Sequence, residues 1–283
     1  MFDSLRIVHK KSAAGRGSLS RMLKQKKVIV VMPAYNAEQT IEKTWRDVSS
    51  EEIVDEIIVV DDGSHDRTVA RARRLHRVFV HVHPRNRGYG ANQKTCYRLA
   101  LEHGADIVIM VHPDYQYTPK LIPAMADLVA SGLYSCVLGS RILGNGARKG
   151  GMPLWRYVSN RALTLAGNLL MGSKLSEFHT GYRAYARELL EALPLEHNSD
   201  DFVFDNQVLA EALWQGFPIG EISCPTSYAA DASSIDFRRS VRYGFGCLGT
   251  AVAFRLARAR LRRSPMFALA PSGALVESAG RHR

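Results

Sequence analysis

Five short apolar runs constrain this chain more than any other feature: Lys27–Met32, Glu56–Val60, Val78–Val82, Asp106–Val111 and Tyr134–Leu138. They are too short for core helices and rich in β-branched residues, which suits strands buried on both faces of a parallel sheet. Between them lie segments of helical length with amphipathic patterning, Ala37–Val48, Asp66–Leu75, Tyr89–His103 and Pro119–Ala130. Strand alternating with helix predicts an α/β fold with a doubly wound, mostly parallel sheet. Right-handed crossovers then bring the strand carboxyl ends to one edge, where ligands bind.

Beyond Gly144 the pattern changes. A Gly-rich loop, Gly144–Gly151, precedes a long helix over Leu154–Met171. A strand near Tyr182–Tyr185, helices near Leu189 and over Phe204–Trp214, and a strand over Ile219–Ser223 follow. With no internal repeat and no linker, residues 27–235 read as one catalytic domain. A basic amphipathic helix, 236–263, comes next. It places Val241, Phe245, Leu248, Val252 and Leu256 among Arg238, Arg239, Arg242, Arg255, Arg258, Arg260 and Arg262. Such a helix either lies in an anionic membrane interface or packs its apolar stripe on the domain. The basic arm 1–26 and the tail 264–283 lack hydrophobic periodicity and are expected to be disordered.

The formal charge of +11 calls for an anionic partner. Nucleic acid is not expected, because the charge sits largely in the terminal segments and no recognition motif is present. Cys96, Cys136, Cys224 and Cys247 have no metal or redox spacing and read as free buried thiols. No apolar run reaches the roughly 18 residues of a spanning helix, so lipid contact would be peripheral, at the cytoplasmic membrane face.

The unusual residues cluster where the strands end. The first strand runs into Pro33-Ala34-Tyr35-Asn36 instead of a Gly-x-Gly turn, which argues against a dinucleotide site. Asn36 serves either a ligand at this strand end or as a helix cap. The second strand ends in Asp61-Asp62-Gly63-Ser64, more acid than a cap requires, with Asp66 or Ser64 the better cap. Gly88 and Gly90 flank the start of the third helix, where small residues let an anion approach free N–H groups. The fourth strand leads into His112-Pro113-Asp114-Tyr115-Gln116. As an extended segment this places an imidazole, an acid and an amide on one side. Asp114 with Gln116 suits Mg²⁺ or Mn²⁺, and His112 suits Mn²⁺ better. The alternative is a polar turn before the Pro119 helix.

Together these strand ends resemble the nucleotide-sugar-binding half of family 2 glycosyltransferases, in particular the dolichol-phosphate mannosyltransferase-like branch, from about Val28 to Tyr228. The resemblance implies a GT-A type fold, an inverting transfer from a UDP- or GDP-sugar, and a polyprenyl phosphate acceptor. It implies that Pro33, Tyr35, Asp61 and Asp62 line the nucleoside pocket, with Asn36, Gly88 and Gly90 nearby. Asp114, with Gln116 beside it, would hold the divalent metal in the family's Asp-x-Asp-x-Gln segment, where His112 stands at the first acid. Arg141 matches an arginine near the transferring phosphate. Arg156 and Asn160, one turn apart, match the family's Arg and Ser on the acceptor phosphate. Thr180-Gly181-Tyr182-Arg183 matches a further segment, in which Arg183 is either an acceptor contact or a structural ion pair.

A phosphate acceptor is anionic already and needs orientation by Arg141 and Arg156, not a base. A glycan or small-molecule hydroxyl would need one, and Asp201 and Asp205 are the candidates. They equally suit the start of a helix. A non-enzymatic nucleic-acid or membrane-binding protein and a sugar-nucleotide-binding protein without turnover are further rivals, the latter suggested by His112 alone.

Overall fold

The computed structural model describes residues 25–144, 146–226 and 237–268. Nearly all of the predicted basic arm and most of the predicted tail lie outside these residues. Seven strands form one sheet: β1 Val28–Ala34, β2 Glu56–Asp61, β3 Val78–Val82, β4 Ile107–Met110, β5 Cys136–Ser140, β6 Arg183–Ala186 and β7 Ile219–Ser223. The order is β3-β2-β1-β4-β6-β5-β7. All seven residues of β1 are buried, as a central strand covered on both faces requires. Alternation divides its side chains between two cores. Ile29 and Val31 face one, with Tyr97 and Phe204, while Val28, Val30 and Met32 face the other, with Ile41 and Met125.

The helices are α1 Ile41–Ser49, α2 Thr68–Ala72, α3 Tyr89–Glu102, α4 Ile122–Ala130, α5 Gly146–Lys149, α6 Leu154–Met171, α7 Arg187–Ala192, α8 Phe204–Gln215 and α9 Phe237–Arg258. The chain lays β1, β2 and β3 to one side, then returns to place β4 on the other side of β1. That reversal falls between β1 and β4, whose carboxyl ends are the general ligand position of such sheets.

One strand corrects the expectation that every carboxyl end shares an edge. β6 is antiparallel to both β4 and β5. Its register pairs Arg183 with Met110 and with Leu138. The amino end of β6, carrying Thr180-Gly181-Tyr182, therefore lies beside the carboxyl ends of β4 and β5.

The last helix packs on the domain by a face other than its apolar stripe. It packs on α6 and α8 through Cys247, Thr250, Ala251 and Phe254, while Val241, Phe245 and Val252 of the expected packing stripe are exposed. Close approach explains the choice of face. A Cβ on Gly246 would come within 2.4 Å of Val203 Cγ2, so only a glycine lets the helix approach the domain at that point. α9 stops at Arg258, and Arg260 takes a left-handed φ of 58°.

Candidate active site

The loops after β1 and β2 are stitched together. Asn36 does not cap α1, which begins five residues later. It adopts a φ of 50°, which asparagine tolerates, and its Oδ1 accepts the His65 N–H at 3.0 Å. Its own N–H donates to Ser64 Oγ at 2.8 Å. Asp61 accepts the Ser64 N–H and hydroxyl, so this buried acid holds the turn. Asp66 accepts from Thr68 and from the Glu38 N–H, joining α1 to α2. Pro33 is buried, whereas Tyr35 is 48% exposed and presents its ring above the edge.

Asp62 is turned inward. It pairs with His83 Nδ1 at 2.7 Å and accepts the N–H groups of Arg87 and Gly88 at 2.9 and 3.0 Å. His83 Nε2 lies 3.0 Å from the Thr95 hydroxyl of α3. Asp62 thus shapes the loop entering α3, a role that the Asp-Asp pair did not announce.

Gly88 and Gly90 are small for another reason than ligand approach. A Cβ on Gly88 would lie 2.5 Å from the Asp200 carbonyl oxygen, and one on Gly90 would lie 2.3 Å from the Ser199 carbonyl oxygen. The N–H of Gly90 donates to Asp200 O at 2.8 Å. Backbone from the loop before α8 therefore occupies the helix N-terminus that was assigned to an anion. Lys94 fastens that loop through Asn198 O and Asp200.

The segment after β4 is a turn, not the extended run expected. Tyr115 has a φ of 58°, and Asp114 Oδ1 accepts the Gln116 N–H at 2.9 Å. Tyr115 donates to Asp47 beneath it. His112 stacks on Tyr89 at 5.4 Å between centroids, and its Nε2 lies 3.1 Å from the Tyr89 hydroxyl. Tyr89 donates to Asp205 Oδ2 at 2.7 Å and stacks on Phe202. Burial, then the charge of Asp205, holds the Tyr89 phenol well above its ordinary pKa. Among the described residues the second oxygen of Asp114, the Gln116 amide and His112 Nδ1 have no hydrogen-bond partner. One carboxylate, one amide and one imidazole nitrogen left open fit a divalent cation that takes its remaining ligands from phosphate and water. No group of three or more His, Cys, Asp or Glu placed to hold a metal ion is found among the described residues.

The predicted phosphate arginines divide. Arg183 is fully buried and bonds to the carbonyls of Thr180, Phe178 and Asp205. It lies 3.9 Å from the Asp205 carboxylate. Of its two readings the structure shows the structural one. Arg141 grips Glu177 through its peptide N–H, Nε and Nη2, and donates also to His179 O. Asn160, on the buried face of α6, donates to the same carboxylate at 2.7 Å. Burial alone would raise the Glu177 pKa, but the Arg141 charge and hydrogen bonds outweigh it and hold the acid below its usual range. Arg156 stays half-buried, its guanidinium 5.1 Å from the Trp155 ring.

Glu177, Tyr89 and His179 escaped the sequence reading. Glu177 precedes Thr180-Gly181 by a few residues, and that proximity to a motif was the available signal. His179 Nδ1 meets the Tyr243 hydroxyl of α9 at 2.7 Å, and burial lowers its pKa to about 4. The acids at the start of α8 divide as well. Asp201 is exposed and accepts the Phe202 N–H, whereas Asp205 is buried under Tyr89.

Comparison with known proteins decides the family. The sequence model of Glycosyl transferase family 2 matches residues 29–193, more than half of the chain. The chain belongs to glycosyl transferase family 2. Among relatives of this glycosyltransferase is a dolichyl-phosphate hexose transferase of Haloferax volcanii, 30% identical over 73% of this chain and 86% of that one. Another is the UDP-N-acetylglucosamine–dolichyl-phosphate N-acetylglucosaminyltransferase of Methanococcus voltae, 28% identical over 72% and 86%. A third is a polyprenol monophosphomannose synthase of Mycolicibacterium smegmatis, 27% identical over 69% and 76%. The fold is shared with glucosyl-3-phosphoglycerate synthase of Mycobacterium tuberculosis in complex with Mg²⁺ and UDP. The TM-score is 0.64 at 22% identity, over 88% of this chain and 84% of that one. The family and these relatives make this chain a nucleotide-sugar-dependent transferase with a GT-A-like, mostly parallel sheet.

Proposed function

We propose that this glycosyltransferase moves a sugar, with inversion, from a nucleoside-diphosphate sugar to a polyprenyl phosphate at an anionic membrane surface. The observation that carries the acceptor is the paired surface of α6 and α9. Eight of the thirteen large hydrophobic side chains exposed among the described residues lie there: Leu154, Trp155, Val158, Leu165 and Leu169 on α6, and Val241, Phe245 and Val252 on α9. Neither helix contains an acidic residue, while Arg156, Arg161, Arg238, Arg239, Arg242, Arg255 and Arg258 do lie on them. Apolar side chains among cations with no acid match the interface of an anionic bilayer. No helix among the described residues is long and apolar enough to cross it. Asn160 of α6 and Tyr243 of α9 join this surface to the Glu177–His179 segment, next to Gly181 and His112. The three relatives named above carry dolichyl phosphate or polyprenol in their names.

In this reading the half-buried Asp114, with Gln116 and His112 beside it, holds a divalent cation. The cation supplies charge neutralisation for the leaving diphosphate. Tyr35 offers a ring to the base, and the loops fixed by Asn36, Asp61 and Asp62 shape the nucleoside end. Of the three arginines that resemble phosphate contacts, Arg156 meets the acceptor, because Arg141 is committed to Glu177 and Arg183 to backbone carbonyls. The acceptor oxygen is already anionic, so no side chain need remove a proton. Incubation with a labelled donor and either a polyprenyl phosphate or the matching polyprenyl alcohol tests this. Label in the phosphate alone supports the reading, and equal labelling of the alcohol contradicts it.

A further inference from the structure

The Tyr89 hydroxyl has one proton, and it goes to Asp205 Oδ2 at 2.7 Å. The Arg183 guanidinium lies 3.9 Å from the other oxygen of Asp205. With its proton committed, the Tyr89 oxygen can only accept from His112 Nε2, 3.1 Å away. In the neutral ring Nε2 then carries the hydrogen and Nδ1 the lone pair. The ring has little freedom to turn. Tyr89 stacks on one face, and Gly181 approaches so closely that a Cβ would sit 2.8 Å from Nε2 and 2.9 Å from Cδ2. The opposite nitrogen, Nδ1, has no partner among the described residues, and Asp114 follows two positions later.

We infer that Tyr89 and Asp205 are positioning residues that lock His112 in its Nε2–H tautomer, making Nδ1 a ligand of the cation held by Asp114. The inference rests on the metal-dependent reading above and adds the residues that orient its nitrogen donor. A ring N–H anchored through a second group is how ligating histidines are commonly oriented. A nitrogen donor shifts preference away from Mg²⁺, which keeps oxygen ligands, toward Mn²⁺ and Co²⁺. It also gives Asp205 a use without proton abstraction from an acceptor.

The test uses the full chain with Mn²⁺ and either UDP or GDP, followed by calorimetry and pulsed electron paramagnetic resonance. The wild type should show nitrogen coupling to Mn²⁺ that His112→Ala removes. Tyr89→Phe should weaken Mn²⁺ binding about tenfold or more, in the range of outer-shell losses. The same change in the His112→Ala background should cost nothing further, whereas a merely structural Tyr89 would cost the same in both. His112→Asp should raise Mg²⁺ affinity relative to Mn²⁺. Bound Mn²⁺ without nitrogen coupling in the wild type overturns this inference alone. Absence of Mn²⁺ binding with both nucleotides overturns the metal-dependent reading along with it. The wild-type spectrum decides even where a variant fails to fold.

Discussion

Glu177 and Arg141 form the most heavily bonded ion pair near the strand ends. One buried carboxylate takes the arginine's peptide N–H and its guanidinium, and Asn160 from α6 adds a further bond. Two residues that resemble phosphate ligands are thereby held by an acid of the chain itself. Removing that acid strands a mostly buried guanidinium. Glu177→Gln should lower stability by about 3–5 kcal/mol, the usual cost of breaking such a pair. Urea unfolding at neutral pH measures it.

His179 predicts an acid-sensitive fold. Its folded pKa of about 4 lies below the 6.5 of an unperturbed histidine, so the unfolded chain binds the extra proton between those values. The stabilisation is complete above pH 6.5 and is lost as pH falls toward 4, by roughly 3 kcal/mol in all. His179→Asn, which can keep a bond to Tyr243, should flatten unfolding free energy against pH across that window.

The glycines separate packing from ligand approach. Gly90→Ala should cost about 2–3 kcal/mol, because its Cβ meets the Ser199 carbonyl at 2.3 Å and Phe204 Cβ at 2.8 Å. Gly249→Ala, with open space around it in α9, should stabilise by about 1 kcal/mol. Thermal melts of the two variants check the contrast.

The helical pair predicts lipid binding. Phe245 and Leu169 are 71% and 72% exposed. Replacing both with Ser should weaken binding to anionic vesicles about a hundredfold or more, at about 1.5–3 kcal/mol per buried side chain. Co-sedimentation with phosphatidylglycerol vesicles reads this, and neutral vesicles should bind less tightly to the unsubstituted protein.

A base is also testable. General-base catalysis contributes about 10²–10⁴-fold, so Asp201→Asn should cost that much if the acceptor is a hydroxyl. With a phosphate acceptor the loss should stay below about tenfold in initial-rate assays.

The strands were legible because β-branched apolar runs encode burial locally. β3 and β7 lie where the sequence put them, and β1 and β2 extend slightly past their runs. The direction of β6 was not legible, since it depends on where the long excursion through α5 and α6 re-enters the sheet. Gly88 and Gly90 were misread for a related reason. The backbone that crowds them, Ser199 and Asp200, is more than a hundred residues away in sequence. The face by which α9 packs was not legible, because its apolar stripe suited packing and a membrane interface equally, while Gly246 against Val203 sets the actual approach. At the site, Asp114 and Gln116 stood out by type and spacing. Tyr89, Glu177 and His179 act through partners that only the fold assembles.

The most direct measurement is transfer of labelled sugar from a panel of UDP- and GDP-sugars into organic-extractable lipid, with vesicles, with and without Mn²⁺. The account predicts metal-dependent label in the lipid phase from one donor class, lost in Asp114→Ala. Donor consumption with all label left in the aqueous phase, or lipid labelling that survives both chelation and Asp114→Ala, would contradict it.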